Sequence, residues 1–158
     1  MKSNFENLQI EIYGESHAPE IGVRIGGIPS DCELTLNCVD NLLERRRSHG
    51  EAWATPRKED DVPEIVSGLK KCARGYTVDG TIELRIKNSN VRPNDYANTV
   101  SVPRPSHADY AAYSKDGKIS SGGGRFSGRM TAPLCIAGGI AQELLEVGDI
   151  SITAYISE

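Results

Sequence analysis

No two of the four cysteines, Cys32, Cys38, Cys72 and Cys135, stand at C-x-x-C spacing, so a reduced, cytoplasmic setting is the expectation. The opening MKSNFENLQIEIYG lacks the basic-then-apolar shape of a secretory signal. Basic excess is missing too. The formal net charge is −4, which argues against a general binder of nucleic acid or membrane surface and leaves any anion to be caught locally. The longest apolar-rich stretch, APLCIAGGIAQELLEV, is broken by Gln142 and Glu143 and is too short to span a bilayer, so a soluble protein is expected. His17, His49 and His107 are far apart with no cysteine cluster beside them, which sets a metal site well below an organic anion site.

What is present suffices for one core. A chain of 158 residues with 38% hydrophobic content reads as a single domain, residues 1–158. Alternation in LQIEIY (8–13) and the following IGVRIGG (21–27) predict paired strands around the turn GESHAPE. Leu36, Val39, Leu42 and Leu43 fall at helical spacing, with Thr35 as the N-cap and Arg45, Arg46 and Arg47 at the end, where cations suit the helix dipole. Residues 49–63 read as an exposed loop. EIVSGL (64–69) and TIELRIKN (81–88) predict strands, the second preceded by a turn at Asp79 and Gly80, with Ile82, Leu84 and Ile86 on one face. From Asn88 to Gly124 the chain has little periodicity. Helical spacing returns through Leu134, Ile140, Leu144 and Leu145 and stops at Gly148, and ISITAYI (150–156) reads as a last strand. The fold class is therefore α+β, an antiparallel sheet with helices packed on one face.

The chemistry gathers in RPSHADYAAYSKDGKISSGGGRFSGR (104–129) and in YGESHAP (13–19). A triple glycine ahead of Arg125 and Arg129 can expose backbone N–H groups and present guanidinium forks to phosphate. Asp109, two residues after His107, can orient its imidazole. Taken singly, each histidine, Trp53 and the charge run RKEDD (57–61) read better as surface or packing.

Taken together the motifs are specific. GESH (14–17), ERRR (44–47), TPRKEDD (55–61) with IVSG (65–68), NDY (94–96), RPSHADY (104–110) and GGGRFSGR (122–129) followed by IAGGIAQELL resemble the chorismate synthase family, in the family's order and near its spacing, from residue 8 to residue 155. The resemblance implies a cytoplasmic lyase of aromatic amino acid biosynthesis, the shikimate pathway. It would convert 5-enolpyruvylshikimate 3-phosphate to chorismate and phosphate by 1,4-elimination. The implied cofactor is reduced FMN, replenished by an external reductase or by NADPH at the protein itself. His17 and His107 are the implied acid–base pair, one toward the departing phosphate and one toward the flavin. Arg46, Arg104 and Arg129 are the implied substrate clamps, and Arg125 and Ser127 part of the cofactor site. Arginine suits a substrate with a phosphate and two carboxylates, because its planar fork binds such groups at two points and stays charged.

The chain departs from the family pattern at Ala18, Ser106, SHG (48–50), Ala52, KISS (118–121), Phe126, Met130 and Pro133. Family members are roughly twice as long. The resemblance thus implies half of a pseudo-symmetric β-α-β sandwich, with an apolar face left for a homo-oligomer or for a partner supplying the other half. An inactive fragment and an anion- or flavin-binding module on the same scaffold stand as alternatives to the enzyme.

Overall fold

The computed structural model describes residues 1–48, 59–89, 91 and 102–155. Among the described residues six strands form one sheet: β1 (Lys2–Asn4), β2 (Gln9–Gly14), β3 (Glu20–Gly26), β4 (Glu33–Leu34), β5 (Pro63–Cys72) and β6 (Gly75–Lys87). Every pairing is antiparallel. The order runs β1-β2-β3-β6-β4, with β5 on the remaining side of β6. The first half of β6 thus lies between β4 and β5, and its second half between β3 and β5.

Alternation decides which face is buried. Ile21, Val23 and Ile25 of β3 and Ile82, Leu84 and Ile86 of β6 are inaccessible or nearly so, because successive side chains of a strand point to opposite faces. Against this face packs α3 (Thr131–Glu146), which touches β2, β3, β4 and β6, while α1 (Asn37–Arg46) packs beside it. Gly139 makes that helix pair possible. A Cβ there would stand 2.5 Å from the Val39 N and Cα atoms. The architecture is the expected one, α+β with helices on one face of an antiparallel sheet.

The opposite sheet face is charged rather than apolar. Arg24 joins Glu83 at 3.0 Å, Arg85 joins Glu20 and Glu64 at 3.1 Å, and Lys87 joins Glu64 at 2.7 Å. Arg24 also lies over the Tyr13 ring, 4.5 Å from its centroid. Burial, with Glu83 beside it, pushes the Tyr13 phenol up to about 12. Such exposed pairs add little stability, but they make this face polar over its described strands.

Several sequence expectations need correction. The turn expected at Asp79 and Gly80 lies instead between Cys72 and Gly75, and Gly80 sits inside β6 at positive φ, where the register with β5 shifts. The aperiodic stretch 88–124 contains a helix, α2 (Asp109–Asp116), closed by Gly117 in the left-handed conformation. Residues 150–155 form no ladder among the described residues; Ile150, Ile152 and Tyr155 are exposed. Their alternation suits a strand, but a ladder needs a partner edge. Leu134, expected on the inner face of α3, is 47% exposed, and Ala132, Ile136, Ala137 and Ile140 take the core instead. His49, Ala52, Trp53 and NDY (94–96) lie outside the described residues.

Helix α1 is capped from a distance. Leu36 occupies the N-cap with φ 68° and no side-chain bond, and the Thr35 hydroxyl accepts from Asn37 N–H at 3.2 Å. The buried Glu143 carboxylate of α3 does most of the capping. It accepts from Thr35 N–H at 2.7 Å, the Thr35 hydroxyl at 3.2 Å and Cys38 N–H at 3.1 Å. Replacing Glu143 by alanine strips these donors of their acceptor and is expected to cost about 2 kcal/mol in urea unfolding. Glu146→Ala, which loses only an exposed contact to Cys38, should stay within about 0.5 kcal/mol of the parent.

Candidate active site

The site grows from three loops that converge where β6 ends and α3 begins. Asn88, just past β6, donates through Nδ2 to the carbonyls of Ala18 at 2.7 Å and Glu15 at 3.2 Å. These carbonyls flank Ser16 and His17, so one amide holds the GESH turn against the strand. From the other side comes the glycine loop. Ser16 N–H donates to Gly124 O at 3.2 Å and the Ser16 hydroxyl to Ser121 O at 3.4 Å. Gly122, at φ +65°, lies so close to His17 that a Cβ would come within 2.8 Å of the ring atoms Cδ2 and Nε2. Only glycine takes that backbone without strain and leaves the imidazole its place.

The second histidine reaches the same loop through Arg104. The Arg104 guanidinium donates to Asp109 through Nε at 2.7 Å and Nη2 at 2.9 Å, and Nη2 also reaches Gly122 O at 2.5 Å. His107 Nδ1 lies 2.6 Å from Asp109 Oδ1. A carboxylate that close accepts a hydrogen bond from Nδ1–H and so leaves Nε2 as the working nitrogen. Arg104 Nη2, 3.1 Å from the same Nδ1, then directs its hydrogens to Asp109 and Gly122. Arg104, backed by the Arg104 N–H and His107, holds the buried Asp109 carboxyl far below the usual carboxylate range.

A second charged cluster sits on the far side of Asn88. Asp61, its side chain only 1% exposed, accepts from Arg46 Nη1 through Oδ2 at 2.7 Å and from Arg129 Nη1 through Oδ1. Arg46 is further tied to the Thr131 hydroxyl at 2.8 Å and Gly128 O at 3.3 Å. Arg129, itself buried, donates through Nε to Asn88 Oδ1 at 2.9 Å. Among the described residues its Nη2 is buried with no hydrogen-bond partner. Counted over the described residues, two guanidiniums share one carboxylate, so the cluster carries one surplus positive charge and an N–H group still in want of an acceptor.

Asn88 bridges the two clusters, and the structure therefore brings His17, His107, Arg104, Arg46 and Arg129 to one connected network. Arg125 and Ser127 stand differently. Arg125 pairs with Asp116 of α2 at 2.9 Å and lies over the Phe126 ring, and the Ser127 hydroxyl accepts from Arg129 N–H at 3.2 Å, capping the short 3-10 turn Gly128–Met130. Sequence reasoning missed Asp61, Asn88 and Glu59. RKEDD reads as a solvated face, yet Asp61 is buried, and the buried Glu59 accepts from Ser89 N–H at 2.9 Å and the Ser89 hydroxyl at 2.5 Å. Nothing local distinguishes these carboxylates from Asp60. Among the described residues no cluster of His, Cys, Asp and Glu could hold a metal ion, and no helix is long and apolar enough to cross a membrane.

Comparison with known proteins gives the network a lineage. The sequence profile of chorismate synthase matches residues 8–158. The chain belongs to the chorismate synthase family. It is 45% identical over 159 residues to the chorismate synthase of Lancefieldella parvula, covering 99% of this chain and 41% of that protein. It is 40% identical to that of Aeropyrum pernix, covering 96% of this chain and 39% of the relative. A crystal structure of chorismate synthase superposes with a TM-score of 0.61 at 21% identity, over 92% of this chain and 36% of that one, which supports the fold. The chain spans about two fifths of the length of the curated relatives it matches.

Several departures from the chorismate synthase pattern find a place. Ser106 takes φ +59°, a left-handed turn that puts His107 beside Asp109. Pro133 falls in the first turn of α3, which starts at Thr131, where an N–H has no intrahelical partner to lose. Phe126 is half exposed beneath Arg125, and Met130 is buried in the core.

Two outcomes follow. Because the folded Asp109 carboxyl titrates below its unfolded value, its contribution to stability is complete above the unfolded pKa of about 3.9 and is lost as pH falls toward the folded value. The urea midpoints of the parent and Asp109→Asn should therefore differ by a constant amount above about pH 5 and converge in stronger acid. Gly122→Ala should lower stability by about 1–2 kcal/mol through its left-handed backbone and shift the His17 imidazole resonances, while Gly128→Ala, which has open space, should leave them in place.

Proposed function

We propose that this chain carries part of the active site of a cytoplasmic lyase that converts 5-enolpyruvylshikimate 3-phosphate to chorismate and phosphate, in aromatic amino acid biosynthesis. The observation that carries this reading is that, among the described residues, the buried Nη2 of Arg129 has no partner in a cluster with one surplus positive charge. An unsatisfied buried donor costs about 1–3 kcal/mol, and an anionic ligand oxygen removes that cost. Arg46 and Arg129 then bind one anionic group of the substrate, and Arg104 lies with His107 toward a second.

In this reading His107 serves the departing phosphate. The Asp109 carboxylate behind Nδ1 stabilises the imidazolium, so Nε2–H can be delivered to the phosphate oxygen as the ring C–O bond breaks. His17, packed on Gly122, controls the proton balance on the cofactor side. The elimination also removes a ring hydrogen, and the described residues assign no base to it. The family implies reduced FMN, and the residues present fit its anionic character: the cluster is cationic, a donor is unsatisfied, and Arg125 with Ser127 borders the glycine loop. When bound, reduced FMN supplies electron donation, while the chain supplies position, charge and protons. Groups beyond the described residues complete the site, on further polypeptide, on a second copy or on a partner. The exposed Leu134, Val147, Ile150 and Ile152 offer apolar contacts for that assembly.

The test is an anaerobic assay with reduced FMN and 5-enolpyruvylshikimate 3-phosphate, following chorismate. Turnover is expected where further polypeptide, a second copy or a partner completes the site, with His107→Ala slower by about 10²- to 10⁴-fold. Folded protein that binds the substrate without turnover would replace the enzyme by an anion-binding module or an inactive fragment.

A further inference from the structure

We propose that Asp61 is the positioning residue of the substrate's anion site: its buried carboxylate sets the spacing and orientation of Arg46 and Arg129 so that the unpaired edge of Arg129 meets the ligand. The proposal rests on the functional reading above. Each carboxylate oxygen takes one guanidinium, Oδ2 from Arg46 Nη1 and Oδ1 from Arg129 Nη1. The backbone is committed to this placement, since Asp61 stands at φ +47°, a conformation that aspartate and asparagine tolerate better than other side chains. Without a shared anion the two guanidiniums would repel each other in a poorly solvated place. With it, Arg129 is fixed on two sides, by Asp61 at Nη1 and Asn88 at Nε, and Nη2 is the edge left over. Asp61 also lowers the cluster's charge from +2 to +1, which alone would weaken attraction for an anion. Positioning and bulk electrostatics therefore predict opposite effects when the carboxylate is removed.

Asp61→Asn keeps the size and the backbone tolerance while removing the charge. Calorimetric titration with 5-enolpyruvylshikimate 3-phosphate, on parent and variant of matched far-UV circular dichroism, should show affinity weakened about 10- to 100-fold in the variant, the loss of a charge-assisted contact. Equal or tighter binding by the folded variant would overturn the positioning role and leave the functional reading standing. A parent chain that does not bind would end the functional reading, and this proposal with it. If Asp61→Asn does not fold, nitrogen-resolved NMR of the parent decides. Separate Nη resonances for Arg46 and Arg129, the signature of hindered guanidinium rotation, support Asp61 as their holder, and averaged resonances refute it.

Discussion

A guanidinium does not give up its proton at any pH a protein survives, so burying Arg129 dictates what surrounds it. Its side chain is 3% exposed. Leaving that charge unmatched would be prohibitive, and the chain answers with a carboxylate from the segment before β5 and an amide from the end of β6. The same amide holds both carbonyls around His17. The same carboxylate draws in Arg46 from the last turn of α1. Four separate parts of the sequence are thus tied to one buried cation, and the histidine turn is positioned as a consequence.

The scaffold beneath makes such a cluster affordable. Apolar faces of β3 and β6 packed under α3 supply a dry foundation, and the close approach of α3 at Gly139 to the first turn of α1 seats the helix from whose last turn Arg46 projects. Glu143, one turn further along α3, adds a polar tie at the same end of α1. Charge on the outer sheet face and apolar side chains on the inner one divide the roles cleanly. One face is for water, the other for packing, and the chemistry sits at the edge where loops leave the sheet.

Much of this was legible beforehand. The inward alternation of Ile21, Val23 and Ile25 and of Ile82, Leu84 and Ile86 needs no partner to be read, because it records only the period of the strand. His17, His107, Arg104, Arg46 and Arg129 were legible as a set because their motifs recur in family order. Asp109 could be matched to His107 because the two are close in sequence. Asp61 could not be matched to Arg129, 68 positions away, and Asn88 looked like the polar end of a strand. The helix at Asp109–Asp116 was missed because its one buried apolar residue, Ala112, sets no periodic stripe.

The sequence by itself determined the periodicities, the family and the residue types capable of binding an anion, since these depend on local order along the chain. Tertiary structure decided which carboxylates in RKEDD are buried, which carboxylate caps α1, and, among the described residues, which donor of Arg129 goes unsatisfied and that residues 150–155 form no ladder. These are properties of groups far apart in sequence, and burial and hydrogen bonding act on whatever the fold brings within about 3 Å.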